Sequence, residues 1–213
     1  MRSKFDEQLA LLNRDLTKMG SLCEEALALA AKALANADGQ TAAKIAPIDS
    51  EIDQMERTIE SLCLKLLLQQ QPVARDLRQI SAALKMITDM ERIGDQASDI
   101  AEIIGFLNGR IGTDAQYICQ MAVAAMRMVT ESVEAYVKRD VAMAEATIQH
   151  DDVVDDLFLK VKESLIQMIS ANPKDGEYAL DLLMIAKYFE RIGDHATNIA
   201  EWVEYSITGT HLE

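Results

Sequence analysis

Residues Glu91 to Glu102 read ERIGDQASDIAE, and residues Glu190 to Glu201 read ERIGDHATNIAE. Nine of the twelve positions are identical, and the three differences (Gln96/His195, Ser98/Thr197, Asp99/Asn198) keep size or polarity. Within the copies, acids recur at four-residue steps: Glu91, Asp95 and Asp99 in the first, Glu190 and Asp194 in the second. On a helix such residues share one face, about 5–6 Å apart at Cβ. Carboxylates stacked in this way repel one another unless something positive sits among them. Two further acid pairs have the same spacing, Asp49/Asp53 and Asp151/Asp155. Oxygen-rich groups of this kind select hard or borderline cations.

The glycines inside the ladders support a crowded site. Gly94 and Gly193 each cost a helix about 1 kcal/mol against alanine, a cost accepted where another backbone or a ligand must come close. Arg92 and Arg191 follow the ladder glutamates directly, so they are expected to point about 100° away from them. The bland alternative is a solvated helix face, and the residues alone leave it open. Other chemistries find no support. The ferritin-type Glu-x-x-His spacing does not occur, and the three histidines are His150, His195 and His211. His150 and His195 adjoin acids and are candidates for a ligand or an oriented partner of one. There is no phosphate-binding glycine loop, no G-x-S-x-G and no Cys-x-x-Cys. With no nucleophile set beside a base, the reading is not an enzyme.

The elements that must position these acids are helices. Proline occurs 3 times and glycine 9 times in 213 residues, while 49% of the chain is apolar. That composition indicates an all-α protein with enough apolar material for a core. Six helices are expected, over about 3–37, 41–70, 74–108, 113–138, 140–171 and 177–207. The first carries the stripe Leu12, Leu16, Met19, Cys23, Ala26 and Ala30, in alternating steps of four and three. Gly39 suits its C-terminal cap, and Pro47 is tolerable only in the first turn of the next helix. The stripe Met86, Met90, Ile93, Ala97, Ile100, Ile104 and Leu107 reappears as Ile185, Phe189, Ile192, Ala196, Ile199, Val203 and Ser206. Long helices with short connections hide such stripes only against each other. The expected fold is two tandem antiparallel three-helix bundles, residues 1–110 and 111–213. Middle and last helices then run side by side, so each lobe faces an aspartate pair against a Glu-x-x-x-Asp.

Charge narrows the partners. The formal net charge of −14 makes direct binding of nucleic acid implausible, since phosphate backbones are held by Lys and Arg. It also disfavours an anionic membrane surface over most of the molecule. The opening MRSKFDEQLALLNRDL is charged too early for a secretory signal, and no apolar run approaches the roughly 20 residues of a membrane span. Cys23, Cys63 and Cys119 read as small core residues in a reducing cytoplasm.

With each lobe bearing one D-x-x-x-D and one E-R-I-G-D-x-A-x-[ND]-I-A, the chain resembles the PhoU family along its whole length. The resemblance implies a cytoplasmic negative regulator of phosphate uptake and of the phosphate-starvation response. It implies contact with a Pst-type phosphate ABC importer and a sensor histidine kinase, so that the protein is peripheral to the membrane through its partners. A homodimer or higher oligomer is expected. The resemblance also implies bound metal (iron, zinc, manganese or magnesium) at Asp49, Asp53, Glu91 and Asp95, and at Asp151, Asp155, Glu190 and Asp194. Asp99 extends the first ladder where Asn198 ends the second, so the first lobe is expected to bind metal more tightly. The rival expectation is a metal-independent helical scaffold whose acids only solubilise it.

Overall fold

Stripes stepping by three and four residues become the buried faces of long helices. A computed structural model describes residues 2–69, 72–107, 109–110 and 115–210. Asn108, where the third helix is expected to end, residues 111–114, where the fourth is expected to begin, and His211 lie outside the described residues. The elements are α1 (Arg2–Asn36), α2 (Gly39–Ala42), α3 (Ile45–Gln69), α4 (Ala74–Phe106), α5 (Gln116–Lys138), α6 (Val141–Gln149), α7 (Asp151–Ala171) and α8 (Gly176–Thr208). A 3-10 turn, Pro173–Asp175, precedes α8. Among the described residues there is no strand.

The two middle helices are each divided, the first where Pro47 requires a helix to start and the second with no such mark in the sequence. Pro47 falls in the first turn of α3, where its missing N–H costs nothing, so the chain turns at 43–44 before the long helix begins. In the second half the break falls at His150, between α6 and α7. The turn leading into each short helix is also shared. Ala37 has φ 51°, and Arg139, 102 positions later, has φ 55°. The residue that follows each is an aspartate cap: Asp38 accepts from the Gln40 N–H and Asp140 from the Met143 N–H. The left-handed residue closing α1 is therefore Ala37, and Gly39 instead opens α2. The Asp38 N–H reaches back to the Ala33 carbonyl and the Asp140 N–H to that of Ala135, satisfying the last carbonyls of α1 and α5.

Helices α1, α3 and α4 pack together as one bundle, and α5, α7 and α8 as the other. The most extensive contact between any two elements is α4 against α8, the last helix of each lobe. The stripe residues Met86, Met90, Ile93 and Ala97 are buried, as are Ile185, Phe189, Ile192 and Ala196. Each large apolar side chain taken fully from water contributes about 1.5–3 kcal/mol. The buried residues form one continuous core across both lobes. Cys23 lies within it and donates its S–H to the Met90 carbonyl at 3.3 Å, while Cys63 is also buried; both fit the expected small-residue role. The α4–α8 contact places the two ERIGD copies beside each other at the centre of the molecule.

Candidate metal centres

In the first lobe, Asp49 and Asp53 lie one turn apart at the start of α3, opposite Glu91 and Asp95 on α4. Carboxylate oxygens of Asp49, Asp53 and Asp95 lie within 4.8 Å of one another. A single cation with oxygen ligands at about 2.0–2.6 Å can span that separation. Asp49 Oδ2 accepts from the Ser98 hydroxyl at 2.9 Å, whereas Oδ1 is buried without a hydrogen-bond partner. A buried orphan of this kind needs a compensating partner. The Asp49 carboxyl is pushed up by burial first, then by the charges of Asp95, Asp53 and Asp99. Glu91 is raised by burial and then by Asp95.

Gly94 explains how the acids come so close. A Cβ built on it would lie 2.8 Å from Asp49 Oδ1 and 3.0 Å from Ile52 Cδ1. The second lobe repeats the arrangement, with a Cβ on Gly193 falling 3.0 Å from Asp151 Oδ1. Asp151 is pushed up to about 6 by burial, then by Asp194, Asp155 and Glu190. The other three expected acids of that lobe therefore all lie within electrostatic reach of Asp151. Among the described residues, only the Asp49, Asp53 and Asp95 set brings three ligand atoms into the tighter span.

Among the described residues three cations reach these sites. Arg57, one turn after Asp53 on α3, lies 3.9 Å from Asp53 Oδ2. Arg92 and Lys187 reach the acids of α4 and α8, Arg92 contrary to the expectation that the arginines point away. Arg92 lies 3.0 Å from Asp95 Oδ2 and 3.4 Å from Glu91 Oε2, because its long side chain folds back over the next turn. It is mostly exposed, so the pair contributes at most about 1 kcal/mol. In the second lobe Lys187 makes a close ion pair with Glu190. Its counterpart in the first copy is Thr88, a contrast visible in the repeat itself. Glu56, one turn after Asp53, also belongs to the acidic neighbourhood and raises Glu91.

The remaining expected residues sit at the edges. Asp99 is near enough to raise Asp49, yet it also lies beside the Tyr188 hydroxyl across the α4–α8 groove. The histidine rings turn elsewhere. His150 Nδ1 donates to Glu131 Oε2 of α5, and His195 Nδ1 to Asp89 Oδ1 of α4, each at 2.8 Å.

A family model described as the PhoU domain matches residues 16–104 and again 118–203. The chain belongs to the PhoU family. It is 36% identical over 214 residues to a phosphate-specific transport system accessory protein PhoU homolog of Clostridium acetobutylicum, covering 100% of this chain and 98% of that one. The homolog of Pseudomonas aeruginosa is 34% identical over 211 residues, covering 98% of this chain and 87% of its own. The crystal structure of PhoU from Pseudomonas aeruginosa superposes with a TM-score of 0.93 at 34% identity, over 97% of this chain and all of that one. That of the phosphate transport system regulatory protein PhoU from Streptococcus pneumoniae gives 0.88 at 26% identity, over 98% and 99%. The all-α tandem-bundle architecture is thus that of the PhoU family. Among the described residues no helix is long and apolar enough to cross a membrane.

Proposed function

We propose that this protein is a cytoplasmic negative regulator of phosphate uptake and of the phosphate-starvation response. It works by contact with a phosphate ABC importer and a sensor histidine kinase, as a homodimer or higher oligomer, and carries out no reaction of its own. Relatives covering the whole chain are named accessory proteins of phosphate-specific transport. Metal at the acidic clusters is part of the proposal. The observation that carries it is the orphaned Asp49 Oδ1, held beside Asp53 and Asp95 by a glycine with no room for a Cβ. Asp49, Asp53, Glu91 and Asp95 would hold one centre, and Asp151, Asp155, Glu190 and Asp194 the other. A bound cation supplies positive charge, converting an acidic patch into a neutral or positive one. The charge of the surface offered to a partner then depends on occupancy.

One feature favours a metal-independent scaffold as the second reading. Lys187 already pairs with Glu190, and Arg92 with Asp95, so part of the acidic charge is balanced from within. The test is co-precipitation from phosphate-replete cells, comparing the parent with an Asp49→Asn/Asp53→Asn/Asp151→Asn/Asp155→Asn variant. The proposal expects the parent to bring down importer and kinase components and the variant to lose them. Capture of neither by the parent contradicts the regulatory reading. Equal capture by a folded variant favours the scaffold.

A further inference from the structure

A separate cavity of about 420 Å³ opens where α1 and α4 of the first lobe meet α5 and α8 of the second. Asn13, Arg14, Gln79, Tyr136, Arg139 and Ser206 line it, and none of its lining residues is a carboxylate. In a chain with 35 acids and 21 Lys and Arg, that is a local inversion of the overall charge. Neither arginine has an ion pair among the described residues. The wall behind them is ordered by hydrogen bonds. Asn13 Oδ1 accepts from the Tyr136 hydroxyl at 2.6 Å and from Gln79 Nε2 at 2.9 Å. With that oxygen doubly engaged, Asn13 keeps its NH₂ as a donor. Two guanidiniums and an amide NH₂ are donors suited to an oxyanion, and arginine binds phosphate or carboxylate oxygens in a bidentate fork.

Arg139 also exceeds what its turn requires. It adopts φ 55°, where glycine carries the least cost, and its counterpart Ala37 holds the same conformation at φ 51° with only a methyl group. The turn therefore needs a left-handed residue but has no use for a guanidinium.

We infer that this cavity binds a small oxyanionic ligand, either free phosphate or the phosphoryl group of a larger metabolite, held by Arg14 and Arg139. Its volume falls in the range of small-molecule sites and exceeds the needs of a lone phosphate. Because the lining comes from both lobes, the ligand touches α1 and α4 together with α5 and α8, and occupancy bears on how the lobes pack. The inference is independent of metal at the acidic clusters.

The test is isothermal titration of the intact, chelator-treated protein with inorganic phosphate, ATP and succinate in separate runs at low salt, where no bound metal can recruit an anion. Saturable one-to-one binding of phosphate or ATP is expected, weakened at least tenfold by Arg14→Gln and by Arg139→Gly. Glycine fits the left-handed position, so Arg139→Gly should hold or raise Tm, which separates lost binding from lost structure. Binding of phosphate itself supports a free-anion ligand. Binding of ATP alone supports a phosphoryl group on a larger body. Binding of succinate alone, binding of none of the three, or binding unchanged in both variants overturns the inference.

Discussion

Asp89 Oδ1 on α4 accepts from two α8 side chains at once, His195 Nδ1 at 2.8 Å and Asn198 Nδ2 at 3.0 Å. In the repeat, Asp89 corresponds to Tyr188, and Tyr188 lies beside Asp99, the counterpart of Asn198. The three positions at which the ERIGD copies differ include both members that face the other lobe. Asp at 89 is matched by Asn at 198, and Asp at 99 by Tyr at 188. Their departure from repetition therefore serves the junction between lobes.

Asn198→Asp should loosen that junction. It sets a second carboxylate about 3 Å from Asp89 and removes a donor, a loss of about 1–3 kcal/mol for a half-buried pair. Thermal melting of the variant should fall, and adding Asp89→Asn should recover most of the loss. An Asn198→Asp variant that melts like the parent would show that the contact carries no energy.

The two ladder glycines should differ in tolerance. At Gly94 a new Cβ meets both Asp49 Oδ1 and Ile52 Cδ1, whereas at Gly193 it meets chiefly Asp151 Oδ1. Overpacking costs about 1–3 kcal/mol, against a gain of about 1 kcal/mol from replacing glycine in a helix. Gly94→Ala is expected to destabilise the protein in urea unfolding, and Gly193→Ala to be near neutral. A more stable Gly94→Ala protein would mean that the close approach is dispensable.

Asp151 fixes a pH dependence. Its folded value of about 6 lies above the ordinary 3.8, so the native state binds more protons than the unfolded chain between those limits. Stability of chelator-treated protein should accordingly decline as pH rises from about 4 to 6 and then level off. Because the group is partly solvated, the change from this residue is about 1 kcal/mol. Asp151→Asn should remove it and raise Tm at pH 7 under chelator. A lower Tm would show that the carboxylate is structurally paired.

Lys187 should compete with metal in the second lobe. Lys187→Gln frees Glu190 from its ammonium and is expected to tighten cation binding there severalfold, with little effect on the first lobe. Manganese titration of chelator-treated protein checks this. Unchanged affinities would place Lys187 outside the site's electrostatics.

The helices and their buried stripes were legible because burial recurs at helical spacing, from Leu12 to Ala30 and from Met86 to Ile104. The start of the long α3 near residue 46 was legible in Pro47, which belongs in a first turn, but the break at His150 was not. Asp38 and Asp140 act as caps through local backbone geometry, and no glycine or proline marks the second break. The acids of each lobe were legible through four-residue spacing, and so was the close approach at Gly94. Arg92 was expected to point away because its Cα position faces elsewhere, yet its long side chain folds back to Asp95. Lys187, three residues before Glu190 on the same face, was open to view in the spacing. The matching of Asp89 to Asn198 depends on which helices of the two lobes meet, and the repeat does not specify that.

Elemental analysis of protein purified without chelator bears most directly on the acidic clusters. Metal should be retained in the parent, and Asp49→Asn/Asp53→Asn should remove the first-lobe share while leaving helicity intact. A metal-free parent that also fails to take up manganese or iron, or a double variant with the parent's full metal content, would contradict a cation site at Asp49, Asp53 and Asp95.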